Sequence, residues 1–156
     1  MGRCLKVPRR DKSTPPRLWG GLSSGAVVLV DTAPFIYVLE AHAQFADRFT
    51  GLFEAADAGL IQIVLSTITL AEVLTGPFKA SQTVLAKRYE KALARYTIVS
   101  VSAPIAALAA QLRAQYRLKL PDALQLATAL ELGATAFVTH DRDFTQVTGI
   151  AILTGD

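Results

Sequence analysis

Short apolar runs alternate with helical stretches along most of the chain, and this alternation constrains the fold more than any other feature. Runs rich in Val, Ile and Leu lie at 26–30, 61–66, 97–101, 136–139 and 151–153. Short runs of β-branched residues are typical of buried strands. Strands that alternate with helices pair in parallel and carry helices on both faces of the sheet. The pattern therefore predicts an α/β fold with a central, mainly parallel sheet of four to five strands.

The stretches between these runs have apolar residues at helical spacing. Helices are predicted at 32–40 continuing through 43–58, and then at 69–75, 80–95, 104–116 and 121–132. Gly76-Pro77 is expected to end the helix at 69–75, because proline lacks the N–H that a helix interior requires.

The first 25 residues differ in composition from the rest. They are rich in Pro, Gly, Ser and Arg, which predicts a basic, disordered N-terminal extension at 1–25 and a folded domain at 26–156. Six basic residues and one acidic residue fall in 1–25, whereas 26–156 hold ten basic and twelve acidic residues. The sequence pI near 9.2 therefore comes largely from the extension and is no guide to nucleic-acid binding by the domain.

The cysteine, histidine and apolar content exclude several classes of protein. The one cysteine, Cys4, cannot form a disulfide within the chain, and Cys4, His42 and His140 do not have the spacing of a zinc site. Any metal must be held mainly by carboxylates, which favours Mg²⁺ or Mn²⁺. No apolar run reaches the length of a membrane span. These features predict a cytoplasmic protein without a membrane partner.

Four acidic motifs supply the candidate functional residues. They are Asp31 in VVLVDT, Glu72 in STITLAEVL, Asp122 in LPDALQLATAL and Asp141 in FVTHDRDF. Each carboxylate lies inside or against an apolar segment, where a charge is costly unless something compensates it. Open α/β sheets place their sites at the carboxyl ends of strands. A fold that gathers the four acids there would form an oxygen-only pocket for a hard divalent cation.

Each acid also has an ordinary structural alternative. Asp31 could cap a helix, Asp122 could interact with a helix dipole, and Asp141 could belong to a polar turn. Glu72 could lie on the one solvent-exposed stripe of a short helix. Glu72 is the hardest to explain in this way, because its neighbours are apolar and a buried carboxylate requires a metal, a cation or a proton.

Taken together, the four motifs resemble the PIN-domain family, most closely the VapC-type toxin ribonucleases of type II toxin–antitoxin systems. The resemblance covers roughly residues 27–154, with LVDT, STITLAEVL, LPDALQLATALELGA and FVTHDRDF in the expected order. It implies a three-layer α/β/α fold and a nuclease that cuts RNA with Mg²⁺ or Mn²⁺. It also implies a cognate antitoxin as partner, and a homodimer.

By the same resemblance, the matching positions take on the roles of the family's residues. Asp31, Glu72, Asp122 and Asp141 form the catalytic acidic quartet and bind the metal, with Asp143 as an auxiliary acid. Asp31 and Asp122 would hold the principal metal, whereas Glu72 and Asp141 would complete a second, weaker site or hold metal-bound water. The supporting hydroxyl groups are those of Thr32 and Thr139.

A basic segment at 79–120 is the candidate substrate surface. It contains eight basic residues and one acidic residue, and could track RNA phosphates beside an acidic site. The RNA-binding candidates within it are Lys87, Arg88, Lys91 and Arg95. The alternative interpretation is a solvated helix face.

Three other functions fit parts of the pattern. An aspartyl-nucleophile phosphatase also begins with a strand-end Asp, but it needs a second Asp where this chain has Ala33. A signalling receiver domain needs an acidic pair and a late lysine, whereas Asp31 stands alone and no lysine follows Lys119. The third alternative is a catalytically silent RNA-binding or protein-interaction module on the same fold.

Overall fold

Five parallel strands form the central sheet in the computed structural model, which describes residues 18–156. They are β1 (Val27–Val30), β2 (Gln62–Ser66), β3 (Thr97–Val99), β4 (Ala136–Val138) and β5 (Ala151–Leu153). Their spatial order is β3-β2-β1-β4-β5, and every neighbouring pair is parallel. The chain leaves β1 in one direction for β2 and β3 and returns on its other side for β4 and β5. The crevice between the carboxyl ends of β1 and β4 is therefore the topological switch point, where such sheets bind ligands.

Within residues 18–156, six α-helices cover the two faces of this sheet. They are α1 (Thr32–Leu39), α2 (Ala46–Asp57), α3 (Thr67–Lys79), α4 (Thr83–Leu93), α5 (Ala103–Tyr116) and α6 (Leu120–Glu131). Val28 and Val30 of β1 belong to a core cluster shared with α1 and α2, whereas Leu29 belongs to the opposite cluster, shared with α5 and α6. Because successive strand residues point to opposite faces, β1 is buried on both sides. The predicted three-layer α/β/α fold is confirmed.

Two helix predictions were wrong in their bounds. The helical stretch after β1 is interrupted between α1 and α2, where Ala41 adopts φ 49°. α3 begins at Thr67 and does not stop at Gly76-Pro77 but continues to Lys79, with Pro77 buried inside it. α3 and α4 pack against each other, and this packing outweighs the local preference of Gly-Pro to end a helix.

The last part of the predicted extension packs against the domain. The Trp19 ring lies 5.8 Å from the Phe49 ring, and its Nε1 donates a hydrogen bond to the Arg48 carbonyl at 2.6 Å. Leu22 is buried in the core cluster on the same side of the sheet. Contacts with the domain therefore begin before residue 26, while residues 1–17 of the predicted extension lie outside the described residues. Within 18–156, no helix combines the length and the apolar character needed to cross a membrane.

Candidate active site at the carboxyl edge of the sheet

Asp31 lies where β1 ends and α1 begins, at the switch point of the sheet. Its Oδ1 accepts a hydrogen bond from the Thr32 N–H at 2.7 Å, so Asp31 does cap α1 as the structural alternative held. Its Oδ2 accepts a second hydrogen bond from the Thr139 hydroxyl at 2.8 Å, and the residue is only 8% exposed. Capping is therefore only one of its interactions, because the carboxylate is held both by the start of α1 and by the residue that follows β4.

Thr139 continues β4 and connects Asp31 to the later acidic motif. Its Oγ1 accepts a hydrogen bond from the Asp141 N–H at 3.0 Å while donating to Asp31. Asp141 in turn caps a short 3-10 helix, Arg142–Phe144, by accepting from the Asp143 N–H at 2.9 Å. The FVTHDRDF motif thus brings two acids to the same edge as Asp31, with Asp141 half-buried and Asp143 exposed.

Glu72 is exposed on α3, so its interpretation as a buried carboxylate was wrong and the solvent-exposed stripe was right. Among its apolar neighbours, Val73 is buried, whereas Leu70 and Leu74 are half-buried and Ala71 is exposed. Asp122 lies in the first turn of α6 and is half-buried. Both acids act electrostatically on Asp31, which places the two helices around the same crevice.

Burial raises the pKa of Asp31 from 3.8 to about 6. The hydrogen bonds from Thr139 and from the Thr32 backbone oppose this shift, because they stabilise the ionised form. The negative charges of Asp122 and Glu72 reinforce it. Asp31 is therefore a carboxylate whose charge costs free energy until a cation or a proton joins it.

The pKa of Asp122 is raised as well, first by burial and then by the charges of Asp141 and Glu72. Asp143 adds to the increase, and the Lys119 ammonium at the start of α6 opposes it. The two ion pairs among residues 18–156 are Arg48–Asp156 and Arg95–Asp57, and neither includes one of the predicted site acids. Among residues 18–156, the quartet therefore lies at one edge without an ion pair to a basic side chain.

The acids do not form a finished coordination sphere. In the described part of the chain, no three Asp, Glu, His or Cys side chains are close enough together to hold one metal ion. The carboxylates repel one another, and one oxygen of Asp141 is occupied in capping its own turn. A shared cation would have to draw these side chains inward.

A buried polar network beneath the acids was missed by sequence reasoning. Gln125 of α6 is 1% exposed, and its Oε1 accepts from the Ser66 hydroxyl at 2.6 Å. Its Nε2 donates to Thr69 Oγ1 at 2.6 Å and lies 3.4 Å from Asp31 Oδ1. The available signal was the glutamine itself, three residues after Asp122 within the apolar run ALQLATAL. A buried polar side chain in such a run requires partners.

The predicted RNA-binding residues are not all near the acids. Arg95 lies just before β3, at the amino edge of the sheet, and pairs with Asp57 at 3.2 Å. Lys87, Arg88 and Lys91 are exposed on α4, which leads toward that same edge. Lys119 is the basic residue whose charge acts on a site carboxylate. The part of the basic segment beside the acids is therefore its end, at the turn between α5 and α6.

Comparison with known proteins agrees with this architecture. The model of the PIN domain family matches residues 28–150. A chain from a toxin–antitoxin complex of Klebsiella pneumoniae is 31% identical, with a TM-score of 0.67 over 83% of this chain and 98% of that one. VapBC-1 from nontypeable Haemophilus influenzae is 20% identical, with a TM-score of 0.64 over 83% of this chain and 98% of that chain. A search of curated proteins gave no significant match.

A further solved structure shares the fold. Mycobacterium tuberculosis VapC20, described as a toxin that cleaves the sarcin–ricin loop, is 16% identical, with a TM-score of 0.63 over 80% of this chain and 96% of that one. The chain belongs to the PIN domain family, a family of nucleases. The resemblance to its VapC-type toxins is confirmed. The phosphatase and receiver alternatives are thereby left without support.

Proposed function

We propose that this protein is a metal-dependent endoribonuclease that hydrolyses RNA phosphodiester bonds as the toxin of a toxin–antitoxin pair. The observation that carries the proposal is the meeting of acids from four separate segments at the switch point of the sheet. In support, burial raises the pKa values of Asp31 and Asp122, and the charges of neighbouring site acids raise them further. A phosphodiester is itself an anion, so such a site needs a cation before it can accept RNA.

The donors present fit a hard divalent cation, because all of them are carboxylate oxygens. Asp31 and Asp122 would hold the principal ion, since burial raises the pKa of both carboxyl groups. Glu72 and Asp141 would complete the site, with Asp143 as an auxiliary acid. When bound, Mg²⁺ or Mn²⁺ supplies an activated water and stabilises charge on the phosphoryl oxygens.

The chain's own residues prepare the site for that ion. The Thr32 N–H and the Thr139 hydroxyl fix both oxygens of Asp31. Lys119, at the start of α6, offers a positive charge to an RNA phosphate next to the one that is cleaved. The exposed residues Lys87, Arg88 and Lys91 would contact more distant phosphates, whereas Arg95 is already paired with Asp57.

A cognate antitoxin is the proposed protein partner. The support is that the Klebsiella chain comes from a toxin–antitoxin complex and that the Haemophilus structure is a VapBC complex. An arginine or a helix of the partner that entered the crevice would meet carboxylates that have no ion pair of their own among residues 18–156. Homodimer formation is proposed from the family alone.

Cleavage of RNA by the purified protein tests the proposal. Mapped RNA ends should appear with Mg²⁺ or Mn²⁺, disappear with EDTA, and be absent for Asp122→Asn. Inducible expression of the wild type should arrest growth, and expression of the variant should not. Cleavage by folded Asp122→Asn at the wild-type rate would contradict the site. RNA binding without cleavage by the wild type would favour the silent RNA-binding module instead.

A further inference from the structure

Gln125 connects three elements that carry the acids of the site. Its Oε1 accepts from the hydroxyl of Ser66, which ends β2 and caps α3, at 2.6 Å. Its Nε2 donates to Thr69 in the first turn of α3 at 2.6 Å and approaches Asp31 Oδ1 at 3.4 Å. Since Gln125 itself belongs to α6, one side-chain amide links α6, α3 and the end of β1.

The chemistry of the network fixes the direction of this amide. The Ser66 oxygen already accepts from the N–H groups of Ile68 and Thr69, so its hydrogen is available for Gln125 Oε1. The amino group of Gln125 then faces the Asp31 carboxylate. The opposite orientation would set a carbonyl oxygen against that carboxylate. Within 18–156, every buried side-chain nitrogen or oxygen has a hydrogen-bond partner.

The helical register relates this network to the other acids. Asp122 precedes Gln125 by three residues on α6, and Glu72 follows Thr69 by three residues on α3. Residues three apart are neighbours on one helix surface. The bond between Gln125 and Thr69 therefore sets how far the turn that carries Asp122 lies from the turn that carries Glu72. The contact with Asp31 adds the third acid to the same arrangement.

We propose that Gln125 is a positioning residue that sets the relative placement of Asp31, Asp122 and Glu72, and thereby the affinity of the site for a divalent cation. This inference rests on the proposed metal-dependent function. Gln125 touches neither RNA nor the ion and acts through the groups that would hold the ion. Partners of this kind commonly change metal affinity by roughly 10–100-fold when they are removed.

The test compares two identical substitutions at opposite edges of the sheet. Gln125→Met keeps the approximate length of the side chain and removes its hydrogen bonds. The control is Gln62→Met, because exposed Gln62 donates to Thr97 Oγ1 at 3.2 Å at the amino edge. Free Mn²⁺ is measured by electron paramagnetic resonance during titration of each full-length protein. We expect Gln125→Met to bind Mn²⁺ about 10-fold or more weakly, and Gln62→Met to bind it like the wild type.

RNA cleavage by the same proteins gives a second readout. The rate of Gln125→Met should recover as Mn²⁺ is raised, and at saturating Mn²⁺ its RNA KM should equal that of the wild type, because the defect is in holding the ion. A lower melting temperature with wild-type Mn²⁺ affinity would show that Gln125 only stabilises the fold, and would overturn the inference. If the wild type binds Mn²⁺ and cleaves RNA but Gln125→Met does both equally well, the inference alone fails. If the wild type binds no Mn²⁺, the proposed function fails and the inference fails with it.

A second variant covers the case in which Gln125→Met does not fold. Thr69→Val preserves the shape of the side chain and removes the hydroxyl that receives the Gln125 amino group. Like Gln125→Met, Thr69→Val should weaken Mn²⁺ binding. Where both variants fold, the double variant should bind Mn²⁺ no more weakly than Gln125→Met, because the two changes break one connection. Wild-type affinity in folded Thr69→Val, or fully additive losses, would contradict the connection.

Discussion

The two edges of the same sheet hold acids in opposite electrostatic states. At the amino edge, Asp57 and Arg95 form an ion pair at 3.2 Å, with side chains 55% and 67% exposed. At the carboxyl edge, Asp31 is buried, and its hydrogen-bond donors among residues 18–156 are neutral. Asp57 has its counter-charge in Arg95, whereas Asp31 has no ion pair with a basic side chain among residues 18–156. An acid that lacks a counter-charge is therefore the better marker of function.

One cavity in the described part of the protein lies away from the acidic motifs. A cavity of about 320 Å³ lies at the amino edge, lined by Asp57, Arg95, Tyr96 and their neighbours. Its charged residues already neutralise each other. The topology of the sheet favours the carboxyl edge. The connections run in opposite directions on the two sides of β1, which opens a crevice between the carboxyl ends of β1 and β4.

The largest contrast should come from removing one acid at each edge. Asp31→Asn should lower the rate of RNA cleavage by more than about 100-fold. This loss exceeds the roughly 10–100-fold expected for a residue that supports a metal ligand without touching the metal. Asp57→Asn should leave the rate unchanged, since it removes only half of an exposed ion pair. Rates at saturating Mg²⁺ measure both effects. Equal activities in the two variants would remove the functional distinction between the edges.

The pH dependence of stability should show the same contrast without RNA. The pKa of Asp31 is raised to about 6 in the folded protein, so folding favours its protonated form. Below pH 3.8, Asp31 is protonated in both the folded and the unfolded protein and has no effect on stability. As the pH rises from 3.8 to about 6, its ionisation destabilises the folded protein increasingly. Above that range the loss stays constant at about 3 kcal/mol. The metal-free wild type should therefore lose stability over this range relative to Asp31→Asn.

Denaturant unfolding in EDTA at several pH values measures this difference. Asp31→Asn should be the more stable of the two at neutral pH, and the two proteins should converge near pH 4. Asp122, whose pKa is also raised, should act in the same direction, so comparison with the variant isolates the part due to Asp31. A difference that does not change with pH would show that the charge of Asp31 is compensated in the folded protein.

A smaller contrast is expected among the basic residues. Lys119→Gln should weaken RNA binding. It should also lower the slope of log affinity against log salt concentration by about 1, the value expected for the loss of one phosphate contact. Arg95→Gln should have less effect on binding, because Arg95 lies at the far edge and is paired with Asp57. Binding to catalytically inactive Asp122→Asn, measured over a range of salt, keeps the RNA intact. A stronger effect from Arg95 would instead place the RNA along α4 toward the amino edge.

The smallest effect should be the stability lost when the ion pair at the amino edge is removed. Arg95→Ala should lower the free energy of unfolding by about 1 kcal/mol or less, because exposed ion pairs contribute little. The loss should shrink further in high salt, which screens the pair. Chemical denaturation at low and high salt measures it. A loss of several kcal/mol would mean that this pair stabilises the fold much more than its exposure indicates.

Predictions from the sequence succeeded where a residue's role follows from its immediate surroundings. Asp31 could be placed at a strand end, and Asp122 at a helix start, because short apolar runs and proline mark those positions. Glu72 was judged to be buried because its neighbours are apolar, yet it is exposed. The error arose because a short helix contains too few apolar residues to define which face is buried. Neighbouring residues on a helix point in different directions, so Glu72 can be exposed beside apolar residues.

The polar network could not be predicted in the same way. Gln125, Thr69 and Ser66 are polar residues in apolar stretches, and nothing in the sequence pairs α6 with the start of α3. The extension of α3 through Pro77 was also missed, because packing against α4 outweighs the local signal. Both features depend on contacts between segments that are distant in the chain.

The sequence by itself determined the α/β class, the approximate strands and the acids available for a site, because these depend on apolar periodicity and residue chemistry. The tertiary structure decided which charges meet. It brought the four acidic motifs to one edge through parallel pairing around β1, and it left Arg95 at the other. It also decided that Asp31 is buried close to the charges of Asp122 and Glu72, since burial and Coulomb interactions depend on distance in space rather than on separation along the chain.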